Sequence, residues 1–192
     1  MTSAKRAGLS AAASPVTTMP DLLIEVAVDA EAWSVLPDVE ALASTMVTLA
    51  ARHAGVALRE GAEVSILLSD DRAIRQLNHL WRHQDKPTNV LSFPAAGPNE
   101  LANAPMLGDI IIAFETTSME AARDGKSLAD HVAHLVVHGF LHLLGHDHDN
   151  DTDADRMEAL ECAILRACGI ADPYAEPTST MALTSQPRPG HP

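Results

Sequence analysis

The segment HGFLHLLGHDH, residues 138–148, contains three histidines separated by three and then five residues. His138 and His142 are one helical turn apart, so both imidazoles project from the same face of a helix. Gly145 predicts the end of that helix, and His148 follows in the turn beyond it. Three imidazole nitrogens from a helix and its following loop are the ligands of a catalytic zinc, whose fourth position stays open for water. The spacing therefore predicts a zinc site at His138, His142 and His148.

The same region offers other histidines and one acid as candidates. At 100° per residue, His131 and His134 lie on the helical stripe that carries the first two predicted ligands. His146 directly follows the helix-ending glycine, so its direction depends on that turn. His148 instead matches the spacing H-x-x-x-H-x-x-G-x-x-H of known three-histidine zinc sites, which is why we choose it as the third ligand. Asp147 is a candidate for orienting a ligand or accepting a proton.

The residue after the first histidine separates this segment from the metzincin peptidases. In those enzymes it is a glutamate, the general base of the reaction. Here it is Gly139. The ligand spacing is preserved but the base is missing, so a metalloprotease would have to recruit another base such as Asp147. A peptidase lacking the usual glutamate is therefore an alternative prediction and not the favoured one.

Hydrophobic periodicity around this helix predicts a single small α+β domain. Strands are predicted at residues 22–28, 64–68, 88–93 and 109–114. Helices are predicted from Pro37 to about His53, from the cap at Ser69 and Asp70 through Trp81, from about Thr116 to Asp124, from the Ser127 cap to Gly145, and from Thr152 to Gly169. This order predicts a mixed four-stranded sheet packed with about five α-helices. The metal site then lies on the penultimate helix and the turn after it.

The two ends of the chain differ in composition from the region between them. Residues 1–20 are rich in Ala, Ser and Thr, and predict a disordered leader. Residues 173–192 contain five prolines and a glycine, and predict a disordered tail. The domain is therefore expected over residues 21–172.

The charge of the chain limits its binding surfaces. A formal net charge of −13 excludes a uniformly basic surface for nucleic acid. A local basic surface remains possible, because four basic residues and one acid lie close together in the sequence: Arg72, Arg75, Arg82 and Lys86, with Asp85. Arg82, at a helix end, could present its planar guanidinium to a phosphate. A solvated helix end is an equally good interpretation of the charges alone.

The sequence also predicts where the protein resides. No apolar run reaches the roughly 18 residues of a membrane span. Lys5 and Arg6 are not followed by the long apolar stretch of a secretory signal. The spacing of Cys162 and Cys168 matches no disulfide framework, so we expect both thiols to be reduced. We therefore expect a cytoplasmic protein without a membrane partner.

Three segments together resemble the YbeY family of bacterial endoribonucleases: RHQDKPTNVLSFP at 82–94, LGDIIIA at 107–113 and HGFLHLLGHDH at 138–148. The resemblance spans roughly residues 64–173, and the family's small α+β fold agrees with the prediction above. It implies that the three histidines bind a metal, usually taken to be zinc, and that Arg82 corresponds to a functionally important arginine.

The resemblance also implies an activity. That activity is single-strand-specific RNA cleavage, in maturation of the 16S rRNA 3′ end and in ribosome quality control. The implied partners are single-stranded rRNA and the small ribosomal subunit, with no DNA. As a hypothesis, Arg82 neutralises the charge that develops on the phosphate.

A further alternative is a non-catalytic ribosome-assembly factor whose metal only pins the helix to the loop. A structural zinc usually has four protein ligands, whereas the sequence supplies three. The count therefore favours catalysis.

Overall fold

The computed structural model describes residues 21–148 and 150–175. The strands are β1 (Leu23–Val28), β2 (Glu63–Ser69), β3 (Val90–Pro94) and β4 (Met106–Ala113). The α-helices are α1 (Val39–His53), α2 (Asp71–Arg82), α3 (Phe114–Arg123), α4 (Leu128–Leu143) and α5 (Asp151–Ala167), and a 3₁₀ helix covers Glu31–Val35. The predicted α+β fold, with a mixed four-stranded sheet and five α-helices, is confirmed.

The sheet has the strand order β1-β2-β4-β3. β1, β2 and β4 are parallel, whereas β3 runs antiparallel to β4 at the edge. One face, with Ile66 and Ile110, packs against α1 and α4 in the main core. The opposite face, with Leu91 and Ile111, packs against Ile74 of α2 in a smaller cluster. The alternation of side chains along each strand therefore gives the sheet two apolar faces.

Helix α4 begins and ends as predicted. Ser127 accepts a hydrogen bond from the Asp130 backbone N–H at 3.0 Å and caps the N-terminus. Gly145 follows the C-terminus with φ +86°, in the left-handed region that glycine adopts without strain. A Cβ at this position would collide with Cγ of Pro98, so the turn also requires a residue without a side chain. The turn directs the following residues back along the end of the helix.

Three predicted helix starts differ from the structure by one or two residues. Helix α3 begins at Phe114 and not at about Thr116. Asn150, not Thr152, caps α5, because its side-chain oxygen accepts from the Asp153 N–H at 3.1 Å. Helix α1 begins at Val39 and not at Pro37. Within α2, the helical pattern predicts that Leu80 and Trp81 share one packed side with Ile74; Ile74 is buried, but Leu80 and Trp81 are each 64% exposed. Local patterns locate helices better than they locate helix ends.

The domain boundaries at residues 21 and 172, and the disordered leader and tail outside them, stay predictions. The expected leader, residues 1–20, and residues 176–192 of the expected tail lie outside the described residues. Pro173 and Tyr174, which were assigned to the tail, contact the domain: the carbonyl of Pro173 accepts from Nζ of Lys126 at 2.7 Å. None of the helices within the described ranges is long and apolar enough to cross a membrane.

Candidate metal centre

The structure brings together the three predicted ligands. His138 and His142 project from the last two turns of α4, and His148 projects from the loop after Gly145. One ligand nitrogen from each ring lies within 4.8 Å of those of the other two. Nε2 of His138 is 3.1 Å from Nε2 of His142. Three imidazole nitrogens therefore converge on one small volume.

The protonation of these rings suits a metal. Nδ1 of His138 lies 2.8 Å from Oε1 of Glu161 and donates to it, which leaves the lone pair on Nε2, directed at the other histidines. Burial, together with the neighbouring His138 and His148, lowers the pKa of His142 from 6.5 to about 4. The His142 imidazole is thus neutral at pH 7, as a ligand must be.

The donor set fits a divalent cation with an open position. Among the residues that the structure describes, no fourth His, Cys, Asp or Glu joins the group formed by the three histidines. His148 is exposed, and the cluster opens into a cleft. A site with three protein ligands and access to solvent is typical of catalytic rather than structural metals.

Glu161 is a residue of this centre that the sequence analysis missed. Its side chain is fully buried and accepts hydrogen bonds from His138, from Nε2 of His134 at 2.9 Å, and from the hydroxyl of Tyr174. Burial raises the pKa of Glu161, but these hydrogen bonds outweigh burial and bring it to about 2. Burial raises the pKa of the Tyr174 hydroxyl, and the same carboxylate raises it further. Glu161 is therefore an ionised acceptor at the back of the centre.

A signal for Glu161 was present in the sequence. In α5, Met157, Ile164 and Leu165 are buried, and Glu161 lies on the same face at helical spacing. A single carboxylate within an apolar stripe has to find donors, and the histidine stripe of α4 supplies them. His134, which the sequence left without a defined role, is one of these donors.

His131 contributes to a different contact. Its Nε2 lies 3.0 Å from Oε2 of Glu120, and the same oxygen accepts from Nδ2 of Asn89 at 2.9 Å. Burial lowers the pKa of His131, although Glu120 opposes that shift. Asn89 lines the cleft, so this chain of hydrogen bonds joins the loop before β3 to helix α4. His131 lies outside the group of three convergent histidines.

The three histidines lie in a cleft of about 700 Å³. Its wall is formed by the end of α2, the loop before β3, one face of β3, Pro98, the end of α4 and the loop that follows α4. The lining residues are Arg82, Thr88, Asn89, Val90, Ser92, Pro94, Pro98, His138, His142, Gly145, His146, Asp147 and His148. Arg82, His146 and Asp147 thus share one cavity with the predicted ligands. Oδ1 of Asp147 accepts from the His148 backbone N–H at 2.8 Å, which holds the loop that carries His148.

The basic residues near Arg82 are not equivalent. Arg75 forms a bidentate pair with Asp85, at 2.7 and 2.9 Å, so its charge is compensated locally. Arg82 has no ion-pair partner among the residues described, and its side chain is exposed at the cleft. The structure therefore singles out Arg82 as a cation available to a ligand in the cleft.

Gly139 lies where α4 packs closely against the sheet. A Cβ at this position would lie 3.0 Å from both Cγ2 of Ile110 and Oγ of Ser92. A glutamate here would be forced against the sheet. The close approach of α4 to β3 and β4 thus disfavours a peptidase's glutamate at this position.

The chain is similar in sequence to known proteins over most of its length. The family model described as Endoribonuclease YbeY matches residues 27–169. The Endoribonuclease YbeY of Methylocella silvestris is 51% identical over 159 residues, which cover 83% of this chain and 89% of that protein. That of Azorhizobium caulinodans is 51% identical over 154 residues, which cover 80% and 97%. The solution structure of TM1509 from Thermotoga maritima matches with a TM-score of 0.47 and 20% identity, and the match covers 80% of this chain and 100% of that one. The sequence matches show that this chain belongs to the YbeY endoribonuclease family.

Proposed function

We propose that this protein is a metal-dependent endoribonuclease that cleaves single-stranded RNA in the cleft between Arg82 and the three histidines. The observation that carries the proposal is the presence of a convergent imidazole trio and an uncompensated arginine in one 700 Å³ cavity. The names of relatives that are 51% identical over most of the chain support the same activity.

His138, His142 and His148 would hold one divalent ion. We infer zinc, because neutral imidazole ligands in a three-residue open site suit it. When bound, such an ion supplies positive charge that stabilises the negative charge developing on a phosphodiester. Glu161 contributes by accepting a hydrogen bond from Nδ1–H of His138, which keeps Nε2 unprotonated and directed into the cleft.

Arg82 would bind the phosphate of the substrate. Its planar guanidinium can donate two parallel hydrogen bonds to phosphate oxygens, and its position at the end of α2 faces the cleft. Because the negative charge on these oxygens grows during cleavage, the arginine binds the transition state more tightly than the ground state. We therefore assign Arg82 a catalytic role.

The electrostatics of the cleft favour one direction of approach. Beyond His148, the first turns of α5 carry Asp151, Asp153 and Asp155, which repel a polyanion. RNA would therefore enter from the side of Arg82. We infer that the physiological substrate is ribosomal RNA, with 16S rRNA 3′-end maturation on the small subunit and ribosome quality control as its roles, in the cytoplasm.

Two alternatives have less support. A metalloprotease needs a general base, but the usual position is Gly139, which packs closely against Ile110 and Ser92. A non-catalytic assembly factor with a structural metal would be expected to have a fourth protein ligand. Casein hydrolysis by metal-loaded protein tests the first alternative, and RNA cleavage tests the second.

The decisive experiment compares one labelled RNA in two forms. The single strand and its duplex are incubated with metal-loaded protein, with chelated protein, and with chelated protein after zinc is restored. We expect cleavage of the single strand alone, its loss on chelation and its return with zinc. Cleavage that survives chelation would remove the metal from the mechanism, and loaded protein that cuts neither form would contradict the proposed activity.

A further inference from the structure

A second concave surface lies on the opposite side of the sheet from α4. It is a groove of about 610 Å³ lined by Ser65, Leu67, Leu77, Trp81, Ser92, Phe93, Pro94, Ala95, Asp109, Ile110 and Ile111. We call it the aromatic groove, because the rings of Trp81 and Phe93 lie with centroids 5.9 Å apart, tilted by 59°. Trp81 is 64% exposed although it lines this groove. A large aromatic side chain exposed beside a groove is a common feature of binding sites.

The aromatic groove is continuous with the metal cleft. Ser92 and Pro94 line both cavities. Both belong to β3, the edge strand, whose successive side chains face opposite sides of the sheet: Phe93 faces the groove, and Ser92 faces α4 and the cleft. Helix α2 ends with Trp81 in the groove and Arg82 in the cleft. A flexible chain whose phosphate lies at Arg82 can therefore pass over β3 and reach the groove.

We propose that the aromatic groove binds a nucleobase of the RNA strand whose phosphodiester occupies the cleft, with Trp81 and Phe93 stacking on that base. This inference rests on the proposed function. Stacking of bases on exposed aromatic rings is the usual way in which proteins hold single-stranded nucleic acid without reading its sequence. An unpaired base is also free to leave the strand, whereas a paired base is not, so the groove favours single-stranded substrates.

The chemistry of the groove selects a base rather than a phosphate. Its walls are mainly apolar, and no lysine or arginine of the described residues lines it. Its polar groups are chiefly the Asp109 carboxylate and the Ser65 hydroxyl, which are neighbours in the β2–β4 register. A carboxylate repels phosphate but accepts hydrogen bonds from the amino groups on the edge of a base. A base therefore suits the groove, with its face on the rings and its edge towards Asp109.

Tryptophan fluorescence tests the proposal directly. The chain has two tryptophans, and Trp33 is buried at 1% exposure, so a ligand that quenches fluorescence by contact reports on Trp81. Chelated full-length protein is titrated with short labelled oligoribonucleotides, so that binding is measured without cleavage. One abasic nucleotide is placed at each position in turn. Affinity is measured in parallel by anisotropy of the labelled RNA.

Three variants complete the experiment. Trp81→Ala removes the exposed ring, and Phe93→Leu removes the second ring while keeping apolar volume. Leu80→Ala is the matched control, because Leu80 is also 64% exposed at the end of α2 but does not line the groove. Circular dichroism and thermal unfolding establish that each variant is folded.

The expected results are specific. RNA quenches the wild-type fluorescence, and Trp81→Ala weakens binding by roughly 5- to 150-fold, as the loss of one stacked base predicts. An abasic nucleotide at one position has a similar effect on wild-type protein and no further effect on Trp81→Ala. Phe93→Leu weakens binding at the same position, and Leu80→Ala binds like wild type.

Other results would overturn the inference. Wild-type affinity in both Trp81→Ala and Phe93→Leu would show that the rings hold no base, and an equal loss in Leu80→Ala would show a nonspecific effect. If metal-loaded wild-type protein cleaves RNA but RNA does not quench its fluorescence, the proposed role of the groove is wrong. The nuclease proposal would still stand. If loaded protein neither cleaves nor binds RNA, both proposals fail.

Discussion

Nδ1 of His138 donates to Oε1 of Glu161 across 2.8 Å, which joins a predicted metal ligand on α4 to a buried carboxylate on α5. The carboxylate is fully buried and ionised, so the packing of two helices orients the imidazole. This contact makes the interface between α4 and α5 part of the metal centre.

Replacing Glu161 with Gln is expected to weaken metal binding by about 10- to 100-fold. The amide cannot accept hydrogen bonds from His138, His134 and Tyr174 with the strength of a carboxylate, so the tautomer of His138 is less well defined. Competition with a chromophoric chelator measures the affinity. Glu158→Gln, exposed on the same helix, is the matched control and should bind metal like wild type. Equal affinity in the two variants would contradict the role of Glu161.

Variants of His148 and His146 decide which histidine is the third ligand. His148→Ala is expected to lose stoichiometric metal and RNA cleavage, because only His148 joins the convergent group. His146→Ala, which removes another imidazole from the same cleft, should retain the metal. Elemental analysis of tag-free protein measures both. Metal loss from the His146 variant alone would reverse the assignment.

Replacing Arg82 with Ala is expected to lower the rate of RNA cleavage by roughly 100-fold while metal content is unchanged, as for loss of one transition-state donor. Single-turnover cleavage at saturating protein separates this effect from weaker binding. Arg72→Ala, on the same helix but outside the cleft, is the control for lost positive charge. Cleavage by Arg82→Ala at the wild-type rate would remove Arg82 from the mechanism.

The stability of the metal-free protein should fall in acid. The pKa of His142 is about 4 in the folded protein and 6.5 ordinarily, so between these values the unfolded chain binds more protons and the free energy of unfolding decreases as the pH falls. Glu161, with a pKa of about 2 against 4.5, adds a further loss between pH 4.5 and 2. Urea unfolding from pH 7 to 4 measures the first effect.

The variant His142→Gln isolates that first effect. Between pH 6.5 and 4, the unfolded wild-type chain binds more protons than the folded protein, and this variant should reduce that excess by about one proton. Its free energy of unfolding should therefore decline less steeply as the pH falls. A decline as steep as that of wild type would show that another group titrates.

Replacing Gly139 with Glu is expected to destabilise the fold by at least ~3 kcal/mol, because the side chain would be driven into Ile110 and Ser92 and its charge buried. Casein hydrolysis should not appear, although the residue would complete the peptidase pattern. Ala129→Glu, in the first turn of the same helix, should be tolerated because a carboxylate there complements the helix dipole. A stable Gly139→Glu protein with peptidase activity would contradict the packing argument.

Much of the metal centre was predictable because it depends on local spacing. Residues four apart share a helix face, and a serine cap and a glycine stop bound the helix, so His138, His142 and the turn to His148 follow from neighbours along the chain. The same local rules predicted all five α-helices and the four strands of the sheet.

The sequence alone thus determined the elements, the candidate ligands and the family resemblance, since each depends on residues close together in the chain. Only the tertiary structure brought Glu161 to His138, placed Arg82 in the cleft and left Trp81 exposed beside Phe93. His138 and Glu161 are 23 positions apart, and Trp81 and Phe93 are 12 apart. Both pairs meet through helix and sheet packing, which no local periodicity encodes.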